Sequence, residues 1–258
     1  MPIYSGNHWR TPVRKTYSTA TIVAAASALA LVGAANAGVI SYVRVTNDAD
    51  SGISSANTYT HAIDFEQTPT GTTINGVVFT GMNNAYGPGF TRTLANGGSS
   101  HNNGAGVVST TGNLANLMQG FLYNNGPATD GTGLQTYTIS GLTPGTTYDL
   151  RVYTHLWTNP GNRPNTLVFD STGAADSTGL INQDNATSFG MPGVTDSAYI
   201  NYRYTATGTS LSFTAANAAG SNASWHLYGL SNQVVPEPGS LALLGLGGLL
   251  VGYRRRRA

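Results

Sequence analysis

The sequence predicts an all-β body, an antiparallel β-sandwich with one short helix. Three observations predict it: short runs of alternating apolar and polar residues recur along the chain, turn residues separate them, and a single stretch carries a helical period. Residues 40–45 (ISYVRV) alternate, with Val43 and Val45 opposite Tyr42 and Arg44. Residues 59–65 (YTHAIDF) and 73–80 (TINGVVFT) follow as strands. Residues 135–139 lead through Ser140-Gly141-Leu142-Thr143-Pro144-Gly145, a strong turn, into a long strand at 147–157. Further strands are expected at 166–169, 198–207, 210–214 and 224–230. The helix is expected at 113–123, where Leu114, Leu117, Met118, Phe121 and Leu122 keep the i, i+3, i+4, i+7, i+8 spacing. The paired DSTG segments at Asp170 and Asp176 read as loop.

The chain has 258 residues, 33 glycines, no cysteine and a formal net charge of +1. Its basic residues crowd the two ends. Between Gly38 and Val235 five arginines face ten acidic residues, with no lysine, so the body carries net −5. Such a body has no electrostatic footprint for a phosphate backbone, and nucleic acid is not an expected partner. The absence of cysteine removes disulfides, zinc–thiolate sites and thiol nucleophiles together. A body of this length buries enough core without covalent staples.

Both ends read as membrane signals. Arg10, Arg14 and Lys15 precede an apolar run at 21–32 (TIVAAASALALV), and Ala35-Asn36-Ala37 is a small-x-small cleavage site, which puts the cut after Ala37. The other reading of this segment is an uncleaved anchor helix. At the far end, residues 239–253 form an apolar run of about 22 Å as a helix at ~1.5 Å per residue. A bilayer core is roughly 30 Å thick, so this short transmembrane helix suits a temporary stop. Arg254, Arg255, Arg256 and Arg257 stay on the cytoplasmic side, and the amino-terminal signal puts the body on the other. Pro236-Glu237-Pro238 sits at the outer edge, where two prolines hold the peptide extended.

The order VPEP (Val235, Pro236, Glu237, Pro238), glycine-rich apolar run and arginine cluster resembles the PEP-CTERM sorting signal of Gram-negative bacteria, also described as an ice-binding-protein C-terminal domain. The resemblance implies handling by an exosortase. That membrane-embedded processing enzyme would cut near the motif and pass the body from the inner membrane to the cell surface or extracellular matrix. It also implies a body like the sandwiches that precede such tails, jelly-roll or galactose-binding-like in shape. Within the body, GLTPGTTYDLRVYT resembles the corner before a late strand of fibronectin type III domains. Three regions result: a signal peptide at 1–37, a β-sandwich at 38–234 and a sorting segment at 235–258.

Catalytic signatures are missing. There is no G-x-S-x-G elbow, H-E-x-x-H, P-loop or Rossmann glycine fingerprint, and no catalytic residue or cofactor is expected. Asp64 and Glu66 lie two apart on one strand face, which reads as a solvated edge. Asp48 and Asp50, in Asn47-Asp48-Ala49-Asp50-Ser51-Gly52, offer alternating oxygen ligands for a structural calcium. The loop departs from the EF-hand pattern, and Asx-rich turns are commonly only turns. Alternation along 148–157 puts Leu150, Val152 and Leu156 on one face and Arg151, Tyr153, His155 and Trp157 on the other. Flat rings beside hydrogen-bond donors suit a sugar, and Trp225, His226 and Tyr228 offer a second such patch. The same alternation suits a sheet packed under the helix or a long loop, with these rings as core. Two functions follow: an exported, non-enzymatic envelope or matrix protein, or a module binding envelope or matrix polysaccharide.

Overall fold

The computed structural model describes residues 38–83, 87–94, 98–102, 110–124, 133–155, 163–170, 175–191, 197–218, 221 and 224–236. The signal segment with Ala35 and Ala37, then Trp157, Glu237, Pro238, the terminal apolar run and Arg254, Arg255, Arg256 and Arg257 lie outside the described residues. Among the described residues no helix is long and apolar enough to cross a membrane.

The described chain runs β1 (Val39–Val45), β2 (Tyr59–Phe65), β3 (Thr72–Ile74), β4 (Val77–Met82), β5 (Phe90–Leu94), β6 (Gly98–Asn102), α1 (Asn113–Leu117), β7 (Gly120–Asn124), β8 (Gln135–Ser140), β9 (Thr147–His155), β10 (Pro164–Asp170), β11 (Asp176–Asn182), β12 (Ser197–Thr205), β13 (Ser210–Asn217) and β14 (Gly229–Val234). These strands form a large sheet, β1-β12-β9-β14-β2-β4-β3, a smaller one, β11-β10-β13-β8-β5, and a separate β6-β7 pair. All named pairings are antiparallel except β2 with β4.

The sandwich forms because alternate residues of both sheets are apolar and face each other. Leu150, Val152, Ile200 and Leu230 of the large sheet meet Ile139, Leu167 and Leu211 of the small one in one buried cluster. Through this cluster runs a row of rings. Phe90, Tyr137, Phe213 and Phe169 come from neighbouring strands of the small sheet, with centroids 6.4, 5.0 and 5.5 Å apart. Phe169 stacks on Tyr202 of the large sheet at 4.4 Å, and Tyr202 continues to Tyr204 and Tyr148 at 5.3 and 5.6 Å. Their hydroxyls find partners. The Tyr137 hydroxyl donates to Gln135 Oε1, that of Tyr204 donates to Asn232 Oδ1, and that of Tyr148 accepts the Thr143 amide, tying down the turn before β9.

The outer face of the large sheet is covered as well. Leu114, Leu117 and Met118 from α1 and its end pack with Phe79, Tyr153, Tyr199 and Tyr228 in a second buried cluster. A third layer therefore lies over the sandwich.

Several sequence expectations change. The helix expected at 113–123 stops at Leu117, and 120–124 is strand β7. A Cβ on Gly120 would stand 2.6 Å from Phe65 O and Glu66 Cα, so glycine is required where β7 meets the end of β2. That tertiary contact overrides the helical period. Residues 73–80 make two strands, because Asn75 and Gly76 take φ of 49° and 81° and turn the chain back. The last strand is β14, later than the expected 224–230. Asp176 opens strand β11 and is not loop, while β5 and β6 were not anticipated.

Register places the two ends of the body together. Val39 of β1 lies opposite Arg203, Arg203 opposite Asp149, and Asp149 opposite Gln233 of β14. The chain thus enters and leaves the large sheet at the same pole, three strand spacings apart, about 14 Å at ~4.8 Å per spacing.

Phe213→Ala should lower unfolding stability by about 3–5 kcal/mol, measured as a fall in urea midpoint at unchanged slope. A loss below about 1 kcal/mol would mean that the ring row does not carry the core.

Candidate functional site

The β9 face named from the sequence forms as a face but lies inside. Arg151, Tyr153 and His155 are 8%, 0% and 1% exposed. Tyr153 donates from its hydroxyl to Ser51 O at 2.9 Å and meets Phe79 and Tyr199 edge-on. Arg151 Nη1 donates to Gln233 Oε1 at 2.9 Å, and its guanidinium lies 5.6 Å from the Tyr199 ring centroid. A sugar platform needs open ring faces. Here the covering layer, with Leu114, Leu117 and Met118, occupies that side, so these three residues do not present one. Of the four residues named, Trp157 is the one outside the described residues.

The second ring patch is likewise enclosed. Trp225 and Tyr228 are fully buried, and His226 stacks on Phe121 with centroids 4.0 Å apart. Arg163 Nη1 lies 3.0 Å from His226 Nε2. A guanidinium can only donate, so Nε2 accepts and the imidazole proton sits on Nδ1. Arg163 Nε also pairs with Asp184 at 3.2 Å. Burial pushes the Asp184 carboxyl up to about 6, against the opposing pull of Arg163. Gln183 locks the cluster together, its Nε2 donating to Thr154 Oγ1 and His226 O while Oε1 accepts the His226 amide. The Gln183–Thr154 bond fastens the end of β11 to β9 of the large sheet, and the Arg163–Asp184 pair ties the start of β10 to the end of β11.

Asp48 and Asp50 are spent on backbone. Asp50 accepts from the amides of Thr46 and Asn47 and from the Thr46 hydroxyl, closing a capping box with Asn47 around the 3-10 turn Asp48–Asp50. These bonds hold its carboxyl below the usual range against the upward push of burial. Asp48 Oδ1 accepts the Leu114 amide at 2.7 Å, which docks the start of α1. The two carboxylates thus serve different segments, and among the described residues no group of three His, Cys, Asp or Glu side chains converges on a metal position.

Asp64 is not a solvated edge residue. It is 1% exposed in the interior of the large sheet, opposite Gly229 on one side and Gly81 on the other. Glu66 lies beyond the strand and accepts the Gly71 amide. Asp64 Oδ1 is buried without a hydrogen-bond partner. Burial first, and the Glu66 charge second, push its carboxyl up to about 8. Room for it comes from glycines on both neighbouring strands, which only the register reveals. A groove of about 260 Å³ between Pro69, Met82, Asn83 and Pro88 has no ionisable residue in its lining.

The remaining sequence-named site begins where the fold ends. The Val234 amide donates to Thr58 O and the Val235 amide to Thr147 O, both at 2.9 Å. Pro236 is exposed. The sorting tetrapeptide therefore starts at Val235, one residue past β14 and still hydrogen-bonded to the sheet, with no linker between body and motif.

The family model of the PEP-CTERM protein-sorting motif matches residues 234–257. That signal implies an exported protein with a transient membrane anchor. A search of curated proteins finds no match. Among solved structures, the ANXUR1 extracellular domain from Arabidopsis thaliana is similar at 14% identity and TM-score 0.46, over 69% of this chain and 49% of that one. The ANX2 ectodomain from the same plant gives 14%, 0.45, 69% and 50%. This chain spans about half the length of those ectodomains. TmCBM61, solved in complex with beta-1,4-galactotriose, gives 10% identity and TM-score 0.32 over 58% of this chain and 86% of that one. At these scores the likeness is one of β-rich architecture and extends to nothing else.

The raised Asp64 carboxyl favours the folded state below its unfolded value of about 3.9, and this contribution is lost as pH rises towards about 8. Asp64→Asn should therefore lose less of its urea midpoint between pH 5 and pH 9 than the wild type. Equal losses in the two proteins would contradict the buried, protonated carboxyl.

Proposed function

We propose that this chain is an exported, surface-sorted and non-enzymatic envelope or extracellular-matrix protein, processed at its C-terminal VPEP motif by an exosortase-type enzyme. The observation that carries the reading is the sorting-motif match over residues 234–257, directly abutting the folded body. Two features support it. The entry and exit of the body share one pole, as expected of a domain delivered from a membrane by signals at both ends. Asp48, Asp50, Asp149 and Asp184 are engaged with backbone amides or arginines and hold the fold together. Of the residues named for polysaccharide, Arg151, Tyr153 and His155 are committed to the interior and offer no open ring face to a sugar.

Cleavage before Val235 would free amides that hold β14 between β9 and β2, whereas cleavage at or beyond Pro236 leaves the sheet intact. Replacing Pro236, Glu237 and Pro238 together with alanine should leave full-length protein in the membrane fraction. Wild-type protein should leave that fraction shortened, with Val235 retained, as read by mass spectrometry. Release of the triple variant at the wild-type rate would overturn the proposal.

A further inference from the structure

The first described residue, Gly38, is held by more than its place at the head of β1. Its backbone nitrogen donates at 2.7 Å to Oδ2 of Asp176, the first residue of β11. The Tyr202 hydroxyl donates to the same oxygen at 2.6 Å. The Tyr202 ring cannot move aside, being stacked between Phe169 at 4.4 Å and Tyr204 at 5.3 Å. A Cβ on residue 38 would overlap that ring, so only glycine fits. The seat joins the edge strand of one sheet to the edge strand of the other. Its electrostatics are lopsided: Asp176 is a half-buried carboxylate that receives two neutral donors, and among the described residues no arginine is paired with it.

Resting on the export reading, with its cut after Ala37, we infer that Asp176 and Tyr202 form a built seat for the free α-ammonium of Gly38. Hydrolysis of the Ala37–Gly38 peptide bond puts the water oxygen on the Ala37 carbonyl carbon and a proton on the Gly38 nitrogen, which takes a further proton from solvent. The nitrogen already lies within hydrogen-bond distance of Asp176, so a neutral N–H donor becomes an ammonium facing a carboxylate with no rearrangement. A charge-assisted bond of this type is roughly twice as strong as its neutral counterpart. Removal of the signal segment then clamps the sandwich edge, and the demand for glycine at position 38 comes from the ring of Tyr202 and not from the cleavage chemistry, which needs small residues at Ala35 and Ala37.

The sequence supplies a clean test. The one lysine of the chain is Lys15, so the processed protein has a single amine, that of Gly38. Full-length chain is exported from cells, the first residue of the product is read by mass spectrometry, and the amine is acetylated with acetic anhydride, tyrosine esters being reversed with hydroxylamine. Acetylation should lower the folded-to-unfolded ratio, read from urea midpoints, by about fivefold. In Asp176→Asn, cut at the same bond, the loss should shrink to less than about twofold. An unchanged midpoint on acetylating the wild type, or an equal loss in Asp176→Asn, would overturn the seat while leaving the export reading standing. A product that begins at another residue overturns the cleavage site itself.

Discussion

The stacked row from Phe90 to Tyr148 is the contact on which the other features depend. It crosses the small sheet on adjacent strands, passes between the sheets at the 4.4 Å stack of Phe169 on Tyr202, and ends in the large sheet. Ring pairs of this kind add to area burial and prefer defined offsets, so they set the spacing and slide of two sheets more narrowly than aliphatic contacts do. A body without cysteine needs such a constraint. Tyrosine suits it better than phenylalanine because the hydroxyl can reach a polar partner, as Tyr202 does with Asp176 at the edge and Tyr204 with buried Asn232. Burial raises the Tyr137 and Tyr204 hydroxyls well above their ordinary value, so both remain neutral donors.

With the sheets fixed, the positions of the chain ends follow. Tyr202 lies one residue from Arg203, the partner of Val39, and its hydroxyl sits on the carboxylate that receives Gly38. Asp149, opposite Arg203, accepts its guanidinium in a bidentate pair at 2.8 Å and stands opposite Gln233 near the end of β14. One row of the large sheet thus links the amino-terminal entry to the sorting motif. The ionisable groups at the opposite pole, Asp48, Asp184 and Arg163, fasten turns and strand edges. Among the described residues these groups hold the fold together, and the sorting motif at 234–257 follows it directly.

Much of this was legible in the sequence for physical reasons. Strand β2 matches its expected limits, and β9 starts at the expected Thr147 and is strand up to His155, the last described residue there, because period-2 alternation survives wherever a strand has one face on a core. The two faces of β9 were also correctly divided, with Leu150 and Val152 towards the sandwich. Alternation does not say what lies over the second face, and so the burial of Tyr153 and His155 came from tertiary structure alone. The Asn75-Gly76 turn carries its own signal, since that dipeptide is a strong hairpin marker and breaks the run at 73–80 into two strands. Residues 120–124 had none, because a strand held by the close approach of Gly120 to β2 can carry a helical period by chance. Asp64 illustrates the limit from the other side: single-residue reasoning puts acids at edges, and only the flanking glycines and the covering layer make room for a buried one.

The account stands on the body lying outside the inner membrane. Because the native chain has no cysteine, Val78→Cys, at a position 66% exposed on β4, gives a single reactive thiol. Treating spheroplasts that have an intact inner membrane with a membrane-impermeant maleimide should label this residue before lysis. Labelling that appears only after the inner membrane is broken would place the body in the cytosol and contradict the account.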